Sequence, residues 1–216
     1  MSQAAVWYFD VISPYAYLSL PQLDAIRARR DLVLKPVVFG ALLKHWGQLG
    51  PAEIAPKRIH LYRQIVFEAA RNGLPLRFPD VHPFRPLPLL RLLTAVKGDQ
   101  HAVEAAFRLV WGHGRDATAE DTLLDIAKAA GQPEAVHKIN DEAIKARLHW
   151  NTDEAAAAGA FGVPTLLIDG EVFWGADAIP MALAFLDNPD LFKSGEYTRA
   201  TELRVGVVRD RGQRQQ

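Results

Sequence analysis

The sequence contains no cysteine, and this absence excludes several classes of chemistry. A chain without cysteine has no structural disulfides, no thiolate zinc site and no cysteine nucleophile. Disulfide exchange is excluded as well, because that reaction requires a protein thiolate. Any thiol chemistry that the protein performs must therefore use a sulfur that a ligand brings.

The chain also lacks an excess of charge of either sign and any long hydrophobic run. Lysine and arginine together number 25, as do aspartate and glutamate, so no net charge attracts nucleic acid or an anionic membrane. No apolar stretch approaches the ~20 residues that span a bilayer, and the N-terminus does not read as a signal peptide. The seven histidines show no metal-binding spacing. We therefore expect a cytoplasmic protein without a metal, whose partner is a small molecule.

What the sequence does contain begins with a dense apolar run over residues 4–12. Its β-branched and aromatic residues predict a central strand that is buried on both faces. Ser13 and Pro14 follow directly and are typical of an N-cap and a first helical residue. Ser13 would then lie at the positively polarised start of a helix, where an anion is stabilised. An ordinary capping serine is the alternative that these residues leave open.

A helix is predicted from Pro14 to about Arg30, with a kink caused by Pro21. A second strand is predicted over residues 32–39, and Pro36 restricts it to an edge or an end of the sheet. A strand, a helix and a strand of these lengths indicate a right-handed βαβ unit.

Residues 41–150 carry helical patterns and no strand pattern. A proline-rich loop over residues 74–88 separates the first two predicted helices. A third helix is predicted to start with a capping box of Thr118 and Asp121, and a fourth to run from 132 to 144. The first helix has its apolar residues at helical spacing, namely Ile59, Tyr62, Val66 and Ala69.

Strand patterns return at residues 165–168 and 171–174, joined by the hairpin turn Asp169-Gly170. A last helix is predicted up to about Asn188. The order of the elements is that of an α/β thioredoxin-like fold with a large all-helical insertion. We therefore divide the chain into a thioredoxin-like domain (1–40 and 151–190), an inserted helical domain (41–150) and an irregular C-terminal tail (191–216).

Two motifs carry a family resemblance. F-D-V-I-S-P-Y-A-Y-L, which begins at Phe9, and F-G-V-P-T-L-L-I-D-G-E-V-F-W-G-A-D-A-I, which begins at Phe161, are specific as a pair. Together they resemble the DsbA-like family that includes 2-hydroxychromene-2-carboxylate isomerase and the kappa-class glutathione transferases. The resemblance extends to about Asn188 and implies glutathione as cofactor and a homodimer.

The resemblance also implies roles for single residues. Ser13 stands where DsbA has its reactive cysteine, and its hydroxyl would donate to the sulfur of glutathione. Val163 and Pro164 would form a cis peptide, with the main chain of Val163 free to pair with the cysteinyl part of glutathione. The residues that would bind the γ-glutamyl group, through backbone donors and one carboxylate, are Trp174, Gly175, Ala176 and Asp177. A plain N-cap is the alternative role for Asp177.

The chain departs from the family pattern in the part that would meet the substrate. Many relatives have Gly-Asn before Pro-Pro where this chain has W-G-Q-L-G-P at residues 46–51, and Gln64 stands at a position that is acidic in relatives. Gln48 is therefore a candidate substrate contact. The candidate cations for a substrate or glycyl carboxylate, each with an exposed surface role as the alternative, are Lys44, Lys57, Arg58 and Arg85.

Other residues have two interpretations each, and the sequence does not choose between them. Three histidines, His45, His60 and His82, are candidates for general acids or bases without an assigned role. Three aromatic residues, Trp46, Phe84 and Trp111, line a substrate pocket or belong to the core.

The leading interpretation is a glutathione-dependent isomerase that acts on an aromatic-derived carboxylate such as 2-hydroxychromene-2-carboxylate, with Ser13 stabilising the glutathione thiolate. Two alternatives stay open. One is a kappa-like glutathione transferase or peroxidase. The other is a non-catalytic thioredoxin-fold binding protein.

Overall fold

The protein is built on a four-stranded sheet with the strand order β2-β1-β3-β4, as a computed structural model that describes residues 3–207 shows. Strand β1 (Ala5–Phe9) pairs in parallel with β2 (Leu32–Pro36) and antiparallel with β3 (Thr165–Ile168). Strand β3 pairs antiparallel with β4 (Glu171–Trp174). The predicted central position of β1 and edge position of β2 are confirmed. Strand β1 ends at Phe9, three residues earlier than predicted.

Helices cover most of the remaining described chain. The α-helices are α1 (Pro14–Ser19), α2 (Leu23–Arg27), α3 (Phe39–His45), α4 (Ala55–Arg71), α5 (Leu87–Ala95), α6 (Gln100–Phe107), α7 (Glu120–Ala129), α8 (Glu142–Ala157), α9 (Ile179–Asp187) and α10 (Gly195–Thr201). Turns of 3₁₀-helix cover Leu20–Gln22, Pro51–Glu53, Pro133–Lys138 and Ala176–Ala178, and a π-helical turn covers Arg108–Gly112. None of the helices within residues 3–207 is long and apolar enough to cross a bilayer.

Two predicted helices are interrupted in the structure. The helix predicted from Pro14 to Arg30 is divided into α1 and α2 by a 3₁₀ turn around Pro21, because proline has no N–H to donate and its ring displaces the preceding turn. The helix predicted from residue 132 to 144 is divided into the 3₁₀ segment Pro133–Lys138 and the start of α8.

The capping box predicted at Thr118 is wrong. Helix α7 has Ala119 as its N-cap, and no side chain caps it. The hydroxyl of Thr118 donates instead to Asp116, and the carboxylate of Asp121 lies 3.0 Å from Arg115. Side-chain partners within the preceding turn therefore outcompete the cap.

The orientation of α4 and the form of the tail also differ from the prediction. Of the apolar residues predicted at helical spacing on α4, Ala69 is buried as expected, whereas Ile59 and Val66 are more than half exposed and Ile65 is buried in their place. The tail predicted as irregular contains α10, and its residues 208–216 lie outside the described part of the chain.

The core joins the sheet to the helical segment. The rings of Trp7 and Phe9 stack with centroids 4.8 Å apart, and Phe107 of α6 lies about 6 Å from both. On the other face of β1, the buried Tyr8 donates to Glu154 of α8. The proposed domain boundary at residue 150 falls inside α8, so the division into two domains stays a prediction.

Candidate active site

Ser13 lies in the turn between β1 and α1, where it caps the helix as predicted. Its Oγ accepts a hydrogen bond from the N–H of Ala16 at 3.3 Å and donates one to the main-chain carbonyl of Val163 at 3.2 Å. The residue is buried, with 7% of its surface exposed. In this structure the single hydroxyl proton of Ser13 is therefore directed at Val163.

The Val163–Pro164 peptide is cis, as the resemblance implies. The carbonyl of Pro164 accepts from the N–H of Gly175 at 2.9 Å, which attaches the loop to the segment after β4. Among the described residues, the N–H of Val163 has no hydrogen-bond partner. The main chain of Val163 thus presents one free donor and one shared acceptor beside Ser13.

Trp174 packs closely on this loop. Its indole lies so near the α-carbon of Gly162 that any side chain there would collide with it, and its ring centroid is 5.1 Å from that of Phe161. About half of the Trp174 surface remains exposed. The backbone conformation of Gly162 is not the left-handed one, so the close approach is what requires glycine here.

The segment after Trp174 has two features that sequence reasoning did not resolve. The N–H of Gly175 is already used by Pro164, so this residue has no backbone donor left for a ligand. Asp177 is exposed, with its carboxylate against Gly175, and it caps neither the 3₁₀ turn nor α9. The N-cap alternative for Asp177 is therefore wrong, and its carboxylate oxygens have no hydrogen-bond donor within residues 3–207.

Tyr15 was not identified from the sequence, although it joins α1 to α4 at this site. Its hydroxyl donates to the side-chain oxygen of Gln64 at 2.9 Å. Burial raises the pKa of Tyr15, and the carboxylates of Asp177 and Glu68 raise it further. Tyr15 therefore stays protonated and lies in the negative field of Asp177.

The turn before Ser13 is held from several sides. Trp111 donates from its indole nitrogen to the carbonyl of Val11 at 2.7 Å, and the two carboxylate oxygens of Asp10 accept from the N–H groups of Ile12 and Phe39, each at 3.0 Å. Burial raises the pKa of Asp10 to about 7, against the lowering effect of these two hydrogen bonds. Trp111 is fully buried, so it belongs to the core and does not line a pocket.

Trp46 is the pocket candidate that reaches the cis-proline loop. Its indole donates to the carbonyl of Ala160 at 2.9 Å, and 39% of its surface is exposed. Gln48, two residues further, is exposed, and its one hydrogen bond to the described residues is from its N–H to the carbonyl of Leu43. Phe84 packs at the edge of the core, 6.3 Å from Trp111 between ring centroids.

The candidate cations lie on three different elements, namely α3, the proline-rich loop and α4. Lys44 and His45 line a groove of about 300 Å³ between α3 and α8, together with Asp153, and the lining of this groove includes neither Ser13 nor Val163. Arg85 is exposed in the proline-rich loop and has no ion pair within the described part of the chain.

The remaining candidates lie on α4. Lys57 and His60 are exposed there, whereas Arg58 is partly buried and its charge opposes the rise in the pKa of Tyr62. Nowhere in residues 3–207 do three or more histidine, aspartate or glutamate side chains form a group suited to a metal ion.

Several known proteins are similar in sequence to this chain over most of its length. Glutathione S-transferase kappa 1 of Rattus norvegicus is 28% identical over 200 residues, covering 83% of this chain and 88% of that protein. The 2-hydroxychromene-2-carboxylate isomerase of Sphingobium xenophagum is 26% identical over 193 residues, covering 86% and 99%. A solved structure of a 2-hydroxychromene-2-carboxylate isomerase superposes with a TM-score of 0.73 at 24% identity, covering 89% of this chain and 100% of that one.

The solved structure confirms the thioredoxin-like fold with its helical insertion. The model of the DSBA-like thioredoxin domain matches residues 5–187, which contain both sequence motifs and every element from β1 to α9. The chain therefore belongs to the DsbA-like thioredoxin domain family.

Proposed function

We propose that this protein is a glutathione-dependent isomerase that acts on an aromatic-derived carboxylate such as 2-hydroxychromene-2-carboxylate. The observation that carries the proposal is the pair of Ser13 and Val163, a hydroxyl and a peptide carbonyl 3.2 Å apart beside a cis proline in a chain without any thiol. The names of the relatives support the same class of chemistry.

Glutathione would bind as a short added strand. The free N–H of Val163 would donate to its cysteinyl C=O, and the carbonyl of Val163 would accept from its cysteinyl N–H, as in other extended peptides that pair with a main chain. The carboxylate of Asp177 would pair with the γ-glutamyl amine. The N–H groups of Ala176 and Asp177 would donate to the γ-glutamyl carboxylate, because the N–H of Gly175 is already used.

Binding of the cysteinyl N–H would change the partner of Ser13. The carbonyl of Val163 now accepts the hydroxyl proton of Ser13, and the incoming N–H competes for that acceptor. The hydroxyl then turns toward the sulfur while it still accepts from Ala16. A hydrogen bond to the thiolate stabilises the charged form and lowers the pKa of the glutathione thiol.

The thiolate would then catalyse isomerisation by reversible addition. When bound, glutathione would supply a thiolate able to add reversibly to a conjugated carbon of the substrate, which would make the former double bond single and free to rotate before the sulfur leaves again. Ser13 would hold the charge on the sulfur at both ends of this cycle, so glutathione would be neither oxidised nor consumed.

The substrate contacts belong to the same proposal. Trp46 and Trp174 both contact the loop that carries Val163 and expose aromatic surface there, and an aromatic substrate would pack on such surface. Lys44, Gln48 and Arg85 are the proposed partners of its carboxylate. Arg85 and Gln48 fit this role better than Lys44, because Lys44 lines the groove against α8.

A kappa-like transferase or peroxidase is the second candidate, because a kappa-class glutathione transferase and an isomerase match the chain to a similar extent. It uses the same thiolate and differs in the fate of the sulfur. Product analysis separates the two: an isomerase returns all the glutathione, a transferase retains it in a conjugate, and a peroxidase converts it to the disulfide. A homodimer is also part of the proposal, and sedimentation equilibrium tests it.

The test of the proposal is calorimetric titration with glutathione together with turnover of 2-hydroxychromene-2-carboxylate. We expect saturable binding by the wild type and loss of most turnover in Ser13→Ala. The matched control is Ser19→Ala, which changes a buried serine of α1 whose hydroxyl, in the part of the chain that the structure describes, bonds only to the carbonyl of Ala16. Absence of binding would favour a non-catalytic protein, and full turnover by Ser13→Ala would remove Ser13 from the mechanism.

A further inference from the structure

His82 has both of its ring nitrogens engaged. Nε2 lies 3.0 Å from the main-chain carbonyl of Ile12, and Nδ1 lies 2.7 Å from the hydroxyl of Tyr62. The ring packs edge-on against Trp111, with centroids 5.3 Å apart. His82 thus joins the proline-rich loop and α4 to the turn that precedes Ser13.

These contacts determine the tautomer of His82. A carbonyl oxygen only accepts, so Nε2 must carry the proton that bonds to Ile12. In the neutral ring Nδ1 only accepts, so the hydroxyl of Tyr62 donates toward it, and the same hydroxyl also lies 3.1 Å from the main-chain carbonyl of His82. Burial lowers the pKa of His82, although the bond to Ile12 opposes this, and burial raises the pKa of Tyr62. Neither ring nitrogen is left for a general acid or base.

The carbonyl that His82 holds belongs to the peptide that links Ile12 to Ser13. The N–H of the same peptide is Ser13's own, and it donates to the carbonyl of Asp10 at 3.0 Å. Both polar groups of this peptide are therefore held in place. Because a planar peptide leaves only the adjoining dihedral angles free, its fixed orientation also restricts the direction of the Ser13 side chain.

We propose that His82 is a positioning residue for Ser13, in the tautomer that the carbonyl of Ile12 requires, and that the hydroxyl of Tyr62 holds its ring in place. The inference rests on the proposed function, because the orientation of Ser13 matters for a thiol that it contacts. His82 acts through the Ile12–Ser13 peptide and does not touch the substrate or the sulfur. Replacing the imidazole of His82 should therefore change the pKa of the bound thiol more than it changes the affinity for glutathione.

The first experiment compares His82→Phe with His82→Gln. Phenylalanine keeps a ring against Trp111 but has no donor, whereas glutamine places an N–H close to the position of Nε2. We expect His82→Phe to lower kcat about tenfold, the effect of one hydrogen bond, with the KM for glutathione within about twofold of the wild type. We expect the pKa of the bound thiol to rise in His82→Phe and to recover in His82→Gln.

The control is His101→Gln, an exposed histidine on α6, which should match the wild type. Wild-type kcat in His82→Phe, or equal impairment of the Phe and Gln variants with both folded, would overturn the proposal. Tyr62→Phe supplies an independent variant, because it keeps the imidazole of His82 and removes the hydroxyl that bonds to Nδ1 and to the main-chain carbonyl of His82. We expect it to raise the pKa of the bound thiol in the same direction as His82→Phe, by a smaller amount.

A second measurement needs no glutathione and so separates this proposal from the proposed function. Imidazole ¹⁵N NMR of the free wild-type protein should show a proton on Nε2 of His82 and none on Nδ1. A proton on Nδ1 alone would overturn the inference even if glutathione binds. If the protein shows the expected tautomer but does not bind glutathione, the hydrogen bond from His82 to Ile12 is supported. In that case only the proposed function is rejected.

Discussion

Ser13 donates its hydroxyl proton to the main-chain carbonyl of Val163, across 3.2 Å in space and 150 positions in the sequence. The contact joins the start of the first helix to the cis-proline loop before β3. It also occupies the proton that a bound thiolate would need. Ligand binding in the proposed function must therefore change the partner of Ser13 before the hydroxyl acts on sulfur.

Asp177→Asn should weaken glutathione binding about tenfold, because it removes the charge that pairs with the γ-glutamyl ammonium. Calorimetric titration measures this. Asp190→Asn, which removes an exposed carboxylate paired with Lys193, is the matched control. The dipeptide cysteinylglycine lacks the γ-glutamyl group, so its affinity should be the same in wild type and Asp177→Asn. An equal loss of affinity for glutathione and for cysteinylglycine would show that Asp177 supports the structure of the site and does not contact the γ-glutamyl group.

Gly162→Ala should destabilise the protein by about 1–3 kcal/mol, because the new methyl group collides with the indole of Trp174. Urea unfolding measures the loss, and Trp174 fluorescence should change in the native state. Gly40→Ala is the control, since nothing lies within 4 Å of the added carbon there. Combining Gly162→Ala with Trp174→Ala should recover much of the stability. No recovery would mean that another contact requires the glycine.

The stability of the protein should depend on pH through Asp10. Burial raises the pKa of Asp10 to about 7 in the folded protein, from 3.8 in the unfolded chain. Between these values the folded state binds more protons, so the free energy of unfolding falls as the pH rises from about 4 to 7 and then levels off. Urea unfolding across this range measures the slope.

Asp10→Asn isolates that contribution. The variant should lose this part of the slope, although it is less stable at neutral pH because an amide has only one acceptor for the N–H groups of Ile12 and Phe39. The same slope in wild type and variant would show that Asp10 is ionised throughout. In that case the two hydrogen bonds outweigh its burial.

Much of the fold followed from local patterns. The buried run before Ser13 predicted a central strand, the Asp169-Gly170 turn predicted a hairpin, and both are present. The prediction failed where side chains compete with the backbone, as at Thr118, and on the face of α4, where Ile65 is buried and Ile59 is exposed. At Pro21 the predicted kink is a complete break between α1 and α2.

The candidate site was predicted only in part, for a physical reason. Ser13, Val163 and Asp177 stand in motifs that are visible as runs of residues. Tyr15 with Gln64, and His82 with Ile12, meet only because α4 and the proline-rich loop fold over the first turn. Their sequence separations are 49 and 70 residues, and no local pattern specifies such contacts.

The central claim is that Ser13 stabilises the thiolate of bound glutathione, and ultraviolet titration of that thiol tests it most directly. In the wild type and in Ser19→Ala, the pKa of the bound thiol should lie at least about one unit below the ~8.5 of a free thiol. In Ser13→Ala it should return toward the free value. A thiol that titrates identically in Ser13→Ala and in the wild type would contradict the account.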